Sequence, residues 1–123
     1  MEDNKSTVSI AIDMKKDRIR IHKTTLIQLG QPKYLQLLVN PDLKIVAIRG
    51  SEIRSNEKHL VKYSLIKSDA SFELYSKLLV EKLMSLFPNI EKECTYRLTG
   101  EIHTDKKTAF FPLDTMQRVE GGI

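Results

Sequence analysis

A single cysteine, Cys94, stands alone in 123 residues, so no internal disulfide can form. A chain without such staples is expected to fold in a reducing, cytoplasmic compartment. Its acidic neighbour Glu93 disfavours a thiolate, which leaves Cys94 as a small, half-buried residue entering a strand. Long apolar runs are missing as well. The longest pieces resemble 35–39, which Gln36 interrupts, far short of the roughly 20 residues that cross a bilayer as a helix. The polar start Met1-Glu2-Asp3-Asn4-Lys5 lacks the basic and apolar segments of an export signal.

Glycine is sparse and scattered, which excludes the glycine-rich loops that cradle phosphates. Gly30 and Gly50 are isolated, Gly100 interrupts a strand, and no helix follows Gly121-Gly122. The three histidines, His22, His59 and His103, fall in separate segments without metal-ligand spacing, and no nucleophile elbow is present. Neither a metal, a cofactor nor an enzymatic activity is therefore expected.

What is present is the material of one folded domain spanning 1–123, with 41% hydrophobic and 29% charged residues. Period-two alternation marks strands at 7–12 and 18–22, separated by a polar turn at 13–17. Thr24 or Thr25 can cap a short helix that Gly30 and Pro32 stop. Runs at 34–39 and 43–49 flank the turn formers Asn40-Pro41-Asp42 and read as a hairpin. Residues 50–59 form a connecting loop, and 60–66 read as another strand.

Ser68-Asp69 offers caps for a long helix over 69–87, striped by Phe72, Tyr75, Leu79, Leu83 and Leu86 and stopped before Pro88. Segments 95–102 and 108–113 form a second hairpin, Asp114 caps a last short turn, and Gly121-Gly122 closes a tail. In the second hairpin the adjacent Phe110 and Phe111 must face opposite ways, one of them inward. The expected fold is thus α+β, a mostly antiparallel sheet with one short and one long helix. Its order suggests two pseudo-symmetric β-α-β-β units, within 7–50 and 60–116.

Charge is distributed unevenly: residues 1–67 carry 13 Lys and Arg against 7 Asp and Glu, whereas 68–123 carry 7 against 9. The halves are +6 and −2, and the basic half permits a polyanionic partner. Within it, Arg18, Arg20 and His22 share one face of a strand, with Lys23 at its end and Lys15-Lys16 in the preceding turn. Alternation sets the arginines about 6 to 7 Å apart, close to the phosphate spacing of a nucleic-acid backbone.

The stretch from Arg18 through Leu29-Gly30, followed by the 34–39 and 44–49 hairpin, resembles the AbrB/SpoVT family of bacterial transition-state regulators. In that family a strand, a short helix ending in Leu-Gly and a hairpin interlock with a second copy and grip DNA through basic residues. The likeness covers about a quarter of the chain. It departs at His22, where the family has proline, and at Pro32-Lys33, where it has Gly-Asp.

The resemblance implies a small regulator that binds duplex DNA through Arg18, Arg20, Lys23, Lys15 and Lys16. It would act as a homodimer, or as an intrachain pseudo-dimer in which 60–113 takes the second subunit's place. The alternative is a non-enzymatic interaction or assembly module, docking a partner on helix 69–87 or a hairpin edge.

Overall fold

The computed structural model describes residues 5–66 and 70–119. These residues form strands β1 (Lys5–Asp13), β2 (Arg18–His22), β3 (Tyr34–Asn40), β4 (Ile45–Ser51), β5 (Lys58–Leu60), β6 (Ser71–Tyr75), β7 (Thr95–His103), β8 (Thr108–Pro112) and β9 (Gln117–Val119). Two helices accompany them, α1 (Lys23–Gln28) and α2 (Lys77–Leu86). All strands join one nearly closed, barrel-like sheet in the order β5-β3-β4-β8-β7-β1-β2-β6, with β9 beside β7.

Every pairing is antiparallel, so one face of each strand can be sealed while the other meets water. Ile19 and Ile21 of β2, Leu98 and Ile102 of β7, and Phe111 of β8 project inward and are fully buried. Phe110 faces outward and is half-buried, as adjacency on a strand requires. Each such buried Leu, Ile or Phe contributes about 1.5–3 kcal/mol of apolar burial.

The helices sit at opposite ends of the barrel. At one end α1 leaves directly from β2, buries Thr25 and Leu26, and stops at Gly30, whose φ of +91° suits glycine. Its cap is the ring Nδ1 of His22, which accepts the Thr24 amide at 3.1 Å, so neither expected threonine serves. At the other end α2 buries Leu79, Val80 and Leu83, and its cap is Ser76, whose hydroxyl accepts the Leu79 amide.

The α+β class, the predominantly antiparallel sheet and the unequal helices stand, but several boundaries move. The long helix expected over 69–87 is strand β6 followed by the ten residues of α2. Phe72 and Leu74 satisfy a strand period as well as a helical one, and five residues in register with β2 decide for the strand. The expected Ser68-Asp69 cap lies outside the described residues, as do residues 121–122.

The strand expected at 60–66 is displaced to β5 at its start, with a 3-10 turn at Tyr63–Leu65. Asp114 lies inside a 3-10 turn, Leu113–Thr115, that has no side-chain cap. Met14, expected in a polar turn, is fully buried. Asp13 folds that turn by accepting the amides of Lys15 and Lys16, while the Met14 amide bonds the Cys94 carbonyl and its side chain enters the core.

Candidate nucleic-acid interface

Arg18 and Arg20 lie on the outer face of β2, as alternation requires, but both are engaged. Arg18 Nη2 donates to Asp13 Oδ2 at 3.1 Å, and its Nη1 lies 3.8 Å from Glu73 Oε2. Arg20 Nε donates to the same Glu73 oxygen at 3.0 Å. Loss of hydration works against the Arg18 charge, yet Glu73, a hydrogen bond with Tyr75 and Asp13 outweigh it and hold its pKa above the ordinary arginine value. The stripe is therefore a compensated network of two guanidiniums and two carboxylates.

The three lysines do not extend this stripe. Lys15 and Lys16 occupy the β1–β2 turn, where the Lys15 ammonium lies 3.4 Å from Glu93. Lys23 begins α1 at the far end of β2, with its Nζ donating to the Ile66 carbonyl at 3.2 Å. The five residues thus spread from one barrel end along the wall to the other.

A different concentration of charge emerges when the two ends are compared. The α1 end is where Tyr34 faces Ser51, His22 faces Ser71 and His103 faces Thr108. Its connecting segments, 23–33, 51–66 and 104–107, carry seven Lys and Arg against three Asp and Glu. The α2 end, built from 14–17, 41–44, 76–94 and 113–116, carries six of each.

The segments of the α1 end are tied together by short contacts. The Gly50 amide donates to the Lys107 carbonyl at 2.8 Å, Val61 N to Lys33 O at 2.9 Å, and the Tyr63 hydroxyl to Pro32 O at 2.5 Å. One of its three acids, Glu52, accepts the Lys33 amide at 3.1 Å. Burial, reinforced by Glu52, pushes the Tyr63 hydroxyl up to about 12.

Between β3 and the loop before β5, this end opens into a cleft of about 440 Å³, lined by Tyr34, Arg54, Ser55, Asn56, Lys58 and Leu60. Both charges in it are positive. Lys58 Nζ is held by the Ile53 carbonyl at 2.9 Å and Ser51 Oγ at 3.0 Å, leaving one of its three N–H groups for a further acceptor. Tyr34 and Leu60 are cross-strand partners and form the apolar wall.

Sequence reasoning missed Arg54, Lys58, Lys62, Lys106 and Lys107, because they are spread along the chain and converge only through strand pairing. Residues 50–59, read as a connecting loop, in fact complete β4, shape the cleft and begin β5. Their polarity was the available signal.

The histidines do not meet. His22 caps α1, His103 packs edge-on to Phe110 with ring centroids 5.0 Å apart, and His59 faces the interior opposite Leu35. Burial lowers the His59 pKa below its ordinary 6.5. Among the described residues no group of three or more His, Cys, Asp or Glu could hold a metal ion, and no helix is long and apolar enough to cross a membrane. No protein-family model, curated protein or solved structure matches the chain.

Proposed function

We propose that this chain is a non-enzymatic DNA-binding protein of the regulator type, and that it holds the phosphate backbone with the α1 end of its barrel. The observation that carries this reading is the excess of seven basic over three acidic residues in the segments of that end, beside an even balance at the other. Basic groups gathered at one end raise the local potential and release counterions when phosphates replace them. Of the five residues expected to touch phosphate, Lys23 belongs to this end. Arg18 and Arg20 are left mainly to hold β1, β2 and β6 together, and Lys15 and Lys16 lie outside the contact.

The same reading takes the barrel as two β-α-β-β units in one chain, β2-α1-β3-β4 and β6-α2-β7-β8, acting as an intrachain pseudo-dimer in the cytoplasm. It is supported by the antiparallel pairing of β2 with β6 and of β4 with β8, which joins like positions of the two units. The test is fluorescence anisotropy of a labelled duplex at about 50 and 200 mM salt, where several phosphate contacts predict a loss of affinity of 10- to 1,000-fold. Binding that is absent or indifferent to salt contradicts the proposal.

A second reading, a protein-interaction module, is favoured by one observation. The ends of the strand order, β5 and β6, do not pair with each other, and Leu60 and Leu65 beside the opening are 51% and 75% exposed. A docked strand or a second copy would cover them. Replacement of Leu60 and Leu65 by serine would then abolish an oligomer or complex that charge reversal at the α1 end leaves intact.

A further inference from the structure

Resting on the DNA-binding reading, we infer that the cleft between β3 and residues 54–58 is a subsite for one unpaired nucleotide, so that this end of the barrel also takes single-stranded DNA. The cleft combines two chemistries that a phosphate clamp alone would not need. Arg54 and Lys58 offer positive charge, with Ser55 and Asn56 as neutral hydrogen-bonding groups. Beside them the Tyr34 ring and Leu60, neighbours across β3 and β5, give an apolar wall against which a flat base can lie. Positive charge next to an aromatic ring is the combination that holds a nucleotide with its base unstacked from a duplex.

The dimensions and the preorganisation agree with this occupant. A volume of about 440 Å³ falls within the range of small-ligand sites. No carboxylate lines the cleft. The Lys58 ammonium is already fixed by two acceptors, Ser51 Oγ and the Ile53 carbonyl, so little of its freedom remains to be lost on binding. Arg54 is exposed and can swing to a phosphate oxygen.

The base wall, unlike the rest of the basic end, has no role with a base-paired strand. Its loss therefore separates single-stranded from duplex binding.

The experiment compares a labelled oligothymidylate with a blunt duplex, by anisotropy over a salt series, for the native chain, Tyr34→Ala, Tyr34→Phe and Arg54→Gln. Loss of a stacking ring is expected to weaken single-strand binding of Tyr34→Ala by about tenfold, with Tyr34→Phe close to native and duplex affinity within about twofold. Arg54→Gln is expected to lower the single-strand salt slope by about one phosphate contact. Because Arg54 supports no buried contact, that variant reports on the subsite even if Tyr34→Ala disturbs β3. Native single-strand affinity in Tyr34→Ala, or an unchanged slope in Arg54→Gln, overturns the subsite while salt-sensitive duplex binding leaves the broader reading standing. Absence of salt-sensitive binding to either ligand overturns both.

Discussion

Arg20 and Glu73 face each other in the β2–β6 register, and Arg20 Nε donates to Glu73 Oε2 at 3.0 Å. The same carboxylate reaches Arg18, whose other arm is on Asp13. The most conspicuous cations of the sequence are thereby drawn into joining three strands. Opposite charges at facing positions of a sheet contribute about 0.2–1 kcal/mol. Arg20→Ala is expected to lower stability by an amount in that range and to change DNA affinity by less than about twofold. Urea unfolding and anisotropy check the two halves of this expectation. A loss of affinity matching that of Lys107→Asn would return Arg20 to the interface.

Gly100 tests the strand arrangement itself. A Cβ at this position would stand 2.0 Å from the Phe110 carbonyl oxygen, which is main chain and cannot step aside. Gly100→Ala is expected to cost on the order of 3 kcal/mol or more, read as a fall in the urea midpoint. A midpoint equal to the native one would mean that β8 does not approach β7 this closely.

Thr115 closes a gap on the β7 edge between β8 and β9. Its Oγ1 accepts the Thr99 amide at 3.0 Å and lies 3.0 and 2.6 Å from the Thr99 and Pro112 carbonyl oxygens. Thr115→Val keeps the shape and removes these bonds, so a destabilisation of about 1–3 kcal/mol is expected. Native stability in this variant would remove the hydroxyl from the account of how β8 and β9 share one edge.

What the sequence made legible follows from how local each signal is. Strand β2 and the opposite facing of Phe110 and Phe111 were readable because alternation along five or six residues needs no partner, although which of the two turns inward was not. The two hairpins were readable because their turns carry their own chemistry, as where Asn40 Oδ1 accepts the amides of Asp42 and Leu43. Strand β6 was not readable, since Phe72 and Leu74 fit either period and pairing with distant β2 decides. The charge arrangement is non-local for the same reason. The stripe at Arg18 and Arg20 is neutralised by Glu73, more than 50 residues away, and the basic end is gathered from segments that only the closed sheet brings together.

Two half-buried groups predict opposite pH responses. The folded chain holds His59 below its ordinary 6.5, so the unfolded chain takes up the proton first and stability is lost as pH falls through 6.5 and below. Tyr63 is raised from 10 to about 12, so the unfolded chain ionises first and stability is lost as pH rises from 10 towards 12. Urea midpoints measured across both windows are expected to flatten in His59→Gln on the acid side and in Tyr63→Phe on the alkaline side. Curves parallel to the native ones would contradict the partial burial of these side chains.

Whether DNA meets the α1 end is decided by the salt dependence of duplex affinity in two double variants. One is Lys106→Gln with Lys107→Asn, where asparagine tolerates the left-handed backbone that Lys107 adopts at φ 50°. The other is Lys15→Gln with Lys16→Gln at the opposite end. The first pair is expected to lower the slope of log affinity against log salt by about 2, while the second leaves it within about 0.5 of the native value. Equal slopes for the two variants, or no salt-dependent binding by the native chain, would contradict contact at the α1 end.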